Sequence, residues 1–113
     1  MGLFSRRPRP TPTDVPSDKA AKDATIAHLT DFVATRVGVE AYVEPRTTAA
    51  PMTVMLVATD GEWTRRRVPD EKAAVQLARD LDIPVYDVQR VGYPQRMRDY
   101  NSRQKILRKR GVV

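Results

Sequence analysis

Thr53-Val54-Met55-Leu56-Val57-Ala58-Thr59-Asp60-Gly61-Glu62-Trp63-Thr64-Arg65-Arg66-Arg67-Val68 is the stretch on which the fold turns. An apolar run meets Asp60-Gly61, and a run of bulky and β-branched residues interleaved with arginine follows. Asp-Gly between such runs predicts a two-residue type I′ hairpin, because that turn needs positive φ at both central positions. The strands are expected near 52–59 and 62–68. With Asp60 and Gly61 as the loop, antiparallel pairing sets Ala58 opposite Trp63, Leu56 opposite Arg65 and Val54 opposite Arg67 on one face. Val57/Thr64, Met55/Arg66 and Thr53/Val68 then take the other. The segment 52–59 is apolar on both faces, which predicts the interior strand of an antiparallel meander.

Outward from the hairpin, residues 39–44 predict one more strand upstream. Before it, Ile26, Leu29, Val33 and Val37 recur at helical spacing, widened by Phe32. They predict a helix over about 18–37, with Ser17 as N-cap and Gly38 as its stop. Downstream, Asp70 or the adjacent Pro69 opens a helix over about 70–81, whose Ala74, Leu77, Ala78 and Leu81 share a face. Pro84 ends any helix, and Pro84-Val85-Tyr86-Asp87-Val88 predicts a short strand, placed at a sheet edge by its proline. Gly92-Tyr93-Pro94 is a turn that starts a last helix reaching about Lys109. The fold class is α+β, in the order α-β-β-β-α-β-α with helices packed on the sheet.

Residues 1–16 hold four of the nine prolines and three arginines with few apolar groups, a composition that predicts a disordered arm. One domain is expected over 17–110, with 111–113 a frayed tail. Neither a secretory nor a twin-arginine signal is expected, since no apolar stretch follows Arg6-Arg7. The chain has 113 residues, enough for one modest domain, and no cysteine, so disulfides, thiolate metal sites and cysteine nucleophiles are excluded. The longest apolar run, Val54 to Ala58, falls far short of the ~20 residues that span a bilayer. Lys and Arg number 20 against 14 Asp and Glu, a net charge of +6. The excess sits at the end: residues 89–113 carry eight Lys and Arg against one Asp, whereas 69–88 are net acidic. Such a bipolar field suits a polyanion or an acidic protein surface. A solubilising tail is the plainer alternative.

Four blocks become recognisable together: Val39-Glu-Ala-Tyr-Val-Glu-Pro-Arg-Thr47, Asp60-Gly-Glu-Trp-Thr-Arg-Arg-Arg-Val68, Pro84-Val-Tyr-Asp-Val88 and Val91-Gly-Tyr-Pro-Gln-Arg-Met-Arg-Asp-Tyr100. Over roughly residues 25–100 the chain resembles a family of small, uncharacterised actinobacterial proteins, some of which carry an automatic oxidoreductase label. The resemblance implies a cytoplasmic actinobacterial protein and brings no activity, ligand or catalytic residue with it.

The residues themselves argue weakly for enzyme chemistry. A nicotinamide or flavin site normally needs a glycine-rich strand-to-helix turn, and the five glycines are scattered. The element order also matches the core of restriction-endonuclease-like nucleases, which need Glu-x-Lys on a strand; here Glu62-Trp63-Thr64 has threonine in the lysine position. Glu40 and Glu44 can share a strand face with Tyr42, solvated or paired with arginine. His28 has no second ligand candidate, so no metal and no cofactor are expected.

Two surfaces are candidates for binding. Trp63, Arg65 and Arg67 alternate onto one face, where an indole could stack a base beside guanidinium groups; alternatively Trp63 packs under a helix and the arginine stems pass it to water. The last helix is the stronger candidate for phosphate. Arg96, Arg103 and Arg110 recur every seven residues, Arg98, Lys105, Arg108 and Lys109 widen the charged surface, and Arg90 precedes the helix's free first-turn amides. Met97, Tyr100 and Leu107 form a thin apolar seam for docking. The expected function is a small basic, non-enzymatic module contacting nucleic acid, such as RNA, or the ribosome through this helix. The alternative is an adaptor for an acidic protein surface, with a small oxidoreductase or metal nuclease behind both.

Overall fold

A computed structural model describes residues 18–111. The expected arm, the Ser17 cap and the last two residues lie outside them. The elements are α1 (Asp18–Thr35), β1 (Glu40–Glu44), β2 (Thr53–Val57), β3 (Trp63–Arg67), α2 (Glu71–Asp80), β4 (Val85–Asp87), α3 (Val88–Val91) and α4 (Gln95–Lys109). The fold is α+β in the expected order, with a one-turn α3 added before the last helix. The strands form one sheet in the order β3-β2-β1-β4. β1, β2 and β3 are an antiparallel meander, while β4 runs parallel to β1 at the far edge. The sheet is therefore mixed, because the connection through α2 returns the chain in β1's direction.

The hairpin differs from expectation by one residue. Val57 pairs with Trp63, Leu56 with Thr64, Met55 with Arg65 and Val54 with Arg66. Ala58 N–H donates to the Glu62 carbonyl at 2.8 Å, so the loop is Thr59-Asp60-Gly61. Gly61 alone of these has positive φ, at 94°. That is the three-residue hairpin closed by a glycine bulge. Asp60 needs no left-handed backbone in it, and its carboxylate instead accepts from Glu62 N–H at 2.9 Å. Because side chains alternate with period two, the one-residue slip exchanges the faces of β3 relative to β2. Trp63, Arg65 and Arg67 thus lie with Val57, Met55 and Thr53 rather than with Ala58, Leu56 and Val54.

The slip decides which layer each residue joins. On one face Val54, Leu56, Ala58, Ala41 and Val43 pack against Leu29 and Phe32 of α1 and Ala74 and Ala78 of α2. On the other, Tyr42, Met55 and Val57 pack against Met97 of α4, with Trp63 partly buried beside them. β1 and β2 are covered on both faces, as the two-sided apolar pattern of β2 predicts. α1 stops at Thr35, two residues before its expected end, so Val37 leaves the stripe and is 79% exposed. The chain turns there at Gly38, φ 64°. α2 begins where expected: the Asp70 carboxylate caps it by accepting from Ala73 N–H at 2.8 Å.

Candidate functional site

α4 lies across the sheet face that carries Glu40, Tyr42 and Glu44, and the hairpin loop is where it is fixed. A Cβ on Gly61 would stand 2.0 Å from the Arg96 carbonyl oxygen and 2.8 Å from the Tyr100 Cβ, so only glycine admits the helix backbone. Arg96 then turns inward. Its guanidinium donates to the Ala58 carbonyl at 2.9 Å and to Glu40 Oε1 at 2.7 Å, and Glu40 also accepts from the Tyr42 hydroxyl at 2.9 Å. Burial first, and then the Glu40 bond, raises the Tyr42 phenol above its ordinary pKa. Farther along the helix, Asn101 Oδ1 accepts from Trp63 Nε1 at 2.8 Å, and Arg103 donates to the Asp60 carbonyl at 2.9 Å.

Farther along the same face, Glu44 is the one buried charged residue among those described. Burial alone would raise its pKa, but the donors around it win and hold it below the ordinary carboxylate value. Arg65 grips both oxygens, at 2.6 and 2.8 Å, Thr53 donates to Oε1 at 2.6 Å, and the Tyr93 hydroxyl donates to Oε2 at 2.5 Å. The Glu44 bond, with burial second, pushes the Tyr93 phenol up. This cluster ties the turn before α4 to the centre of the sheet. With its carboxylate already holding four hydrogen bonds, it serves as a structural clamp.

The expected binding residues separate into two sets. Arg65, Arg96 and Arg103 are spent on Glu44, on Glu40 with Ala58, and on Asp60. Arg96 therefore directs its guanidinium at the sheet, away from its helix's first-turn amides. Arg90, Arg98, Lys105, Lys109 and Arg110, with Arg108 and Arg67, are exposed. None of these seven has a carboxylate partner among the described residues. At 100° per residue, Arg98, Ser102, Lys105 and Lys109 fall on one stripe of α4, about 80–140° round the helix from Met97. Arg96 and Arg103, the first two of the heptad, mark the helix's inward flank, while Arg110 at the C-cap is exposed, a difference that period counting could not show.

Trp63 joins the inner layer at its edge, and the Arg65 guanidinium sits 4.9 Å above its ring. Beside it a shallow groove of about 520 Å³ opens between the start of β3 and the last turns of α4, lined by Trp63, Tyr100, Asn101, Ser102, Gln104, Lys105 and Arg108. On the opposite sheet face Arg36 pairs with Glu62 at 2.6 Å, and His28 Nε2 meets Thr64 Oγ1 at 2.7 Å. The pairing of Glu44 with an arginine is one of the two readings expected for it, whereas the roles of Thr53, Tyr93 and Asn101 escaped sequence reasoning. Only the alternation Glu40-x-Tyr42-x-Glu44 signalled that one sheet face carries polar groups at a buried layer.

Among the described residues no three or more His, Asp or Glu gather as a metal would require, and no helix is long and apolar enough to cross a membrane. No protein-family model, curated protein or solved structure matches the chain.

Proposed function

We propose that this chain is a cytoplasmic, non-enzymatic nucleic-acid-binding module that engages RNA, DNA or the ribosome through phosphates along the outer side of α4. The observation that carries the reading is the free cationic set on that helix. Arg98, Lys105, Arg108, Lys109 and Arg110 are exposed without a carboxylate partner among the described residues, while Arg96 and Arg103 hold the helix on the sheet. A folded helix that already presents these cations meets phosphates without first ordering a chain. Salt titration tests it. Five engaged cations give a log–log slope of about −4 to −5 on duplex DNA, at roughly −0.9 per phosphate. Replacing Arg98, Lys105 and Lys109 by Gln flattens the slope by about two to three units and weakens all sequences alike. A wild-type protein that binds neither RNA nor DNA at low salt refutes the reading.

A second reading, an adaptor for an acidic protein segment, is favoured by β3. It is an edge strand whose Arg66 and Arg67 are exposed, and its outer ladder groups face no other strand among the described residues. Copurification separates the two: nucleic acid absorbing at 260 nm marks the first, a stoichiometric acidic protein the second.

A further inference from the structure

The groove beside Trp63 carries a more specific inference, which rests on the nucleic-acid reading above. Its seven lining residues include two cations, Lys105 and Arg108, and no acid. Neither cation has a carboxylate partner among the described residues, so the groove attracts an anion and has no internal charge to neutralise it. Its other side is aromatic, formed by Trp63 and Tyr100. The indole is held in place: Asn101 fixes its Nε1, the Arg65 guanidinium covers one ring face, and Arg65 is itself anchored on Glu44. An aromatic surface held this way binds without giving up rotamer freedom. Between the two sides, Asn101 keeps its side-chain amide N–H groups available after accepting from the indole, and the Gln104 side chain makes no hydrogen bond among the described residues. Amides of this kind can both donate to and accept from the edge of a heterocyclic base.

An apolar ring surface, amide groups and two cations one helical turn apart are the partners that a base and its flanking phosphates require together. A duplex cannot present a base face to such a groove, because its bases are stacked inside. We propose that the groove takes an unpaired nucleotide of a single strand, the base against Trp63 and Tyr100 and the adjoining phosphates on Lys105 and Arg108. Single strands then exceed duplex in affinity, although the outer stripe of α4 binds both.

Trp63 is the only tryptophan in the chain, so its fluorescence reports the groove directly. Oligo(dT) and oligo(U) 12-mers, a duplex of equal length, uridine monophosphate and inorganic phosphate are each titrated at low salt. The expected result is a change in Trp63 emission with both single strands. Duplex binding is seen by anisotropy without that change, and the single-strand preference is about 5- to 150-fold, the usual span for one stacked base. Uridine monophosphate produces a weaker change of the same kind, and phosphate alone none. Lys105→Gln with Arg108→Gln lowers single-strand affinity more than duplex affinity. Both side chains are exposed and unbonded among the described residues, so the variant keeps its fold, as an unchanged urea midpoint verifies. Equal binding of single strand and duplex with silent Trp63 emission overturns the groove assignment and leaves the phosphate reading of α4 standing. An emission change from phosphate alone overturns the base-binding part. Absence of all binding at low salt removes both.

Discussion

Gly61→Ala should cost about 3–6 kcal/mol, far more than the same change at Gly38, and the difference measures how tightly α4 is seated. Both glycines have positive φ, 94° and 64°, so each alanine bears about 1 kcal/mol of backbone strain. Their neighbours differ. The new Cβ at position 38 meets the Thr59 hydroxyl, which rotates away, whereas at 61 it meets the carbonyl of Arg96, 2.0 Å away in a helix backbone. A contact of that kind needs more than 3 Å, so α4 has to lift by over an ångström. Lifting it withdraws Met97, 8% exposed, from Tyr42, Met55 and Val57, and it breaks the bonds from Arg96 to Ala58 and from Trp63 to Asn101. Partial loss of one buried methionine contributes about 1–2 kcal/mol and each hydrogen bond about 0.5–1.5. Urea unfolding followed by far-ultraviolet circular dichroism gives the totals, and native-state Trp63 emission should shift in Gly61→Ala alone. Equal costs at 38 and 61, with unchanged Trp63 emission, would refute the close seating of α4 on the hairpin.

Other consequences concern the paired charges. Glu44 has a depressed pKa in the fold, so its contribution to stability is complete above the ordinary value of 4.5 and is lost as pH falls through the lower folded value; Glu44→Gln should unfold more readily at neutral pH and lose that acid-dependent phase in urea midpoints between pH 6 and 3. His28 is also depressed, by burial first and then by Arg66, against the opposing pull of Asp31. Its neutral form is favoured by the fold, so stability should decline as pH drops below 6.5 and level off once the folded state protonates; His28→Gln should remove that step. Arg96→Gln should cost about 1–3 kcal/mol through the stranded Glu40 and Ala58 carbonyl, while Arg98→Gln stays within about 0.5, a contrast that equal melting temperatures would contradict. Gly92, at φ 74° and ψ 176° with open space around it, should tolerate alanine only at the strain of that backbone, about 1–3 kcal/mol, leaving Trp63 emission unchanged.

Local chemistry was enough to determine the element order, because each boundary here is made by residues that act on their own backbone. Asp70 caps α2 with its own carboxylate, Pro84 cannot continue a helix, and the doubly apolar 52–59 segment can be stable only with layers on both sides. The charge asymmetry that points to α4 is likewise a property of the chain. Tertiary structure alone decided the rest. Asp60-Gly61 is compatible with a two- or a three-residue loop, and the choice follows from whether Asp60 takes a left-handed backbone or accepts from Glu62 N–H, an energy difference too small for propensity to resolve. That choice sets the register, and the register places Trp63 and Arg65 under α4 instead of under α1. Equally, an exposed arginine and one that grips a buried glutamate are the same letter. Arg65, Arg96 and Arg103 were taken from the binding set because folding brings the Glu44 and Glu40 carboxylates and the Asp60 carbonyl to them across 21, 56 and 43 residues, separations at which a local pattern carries no signal.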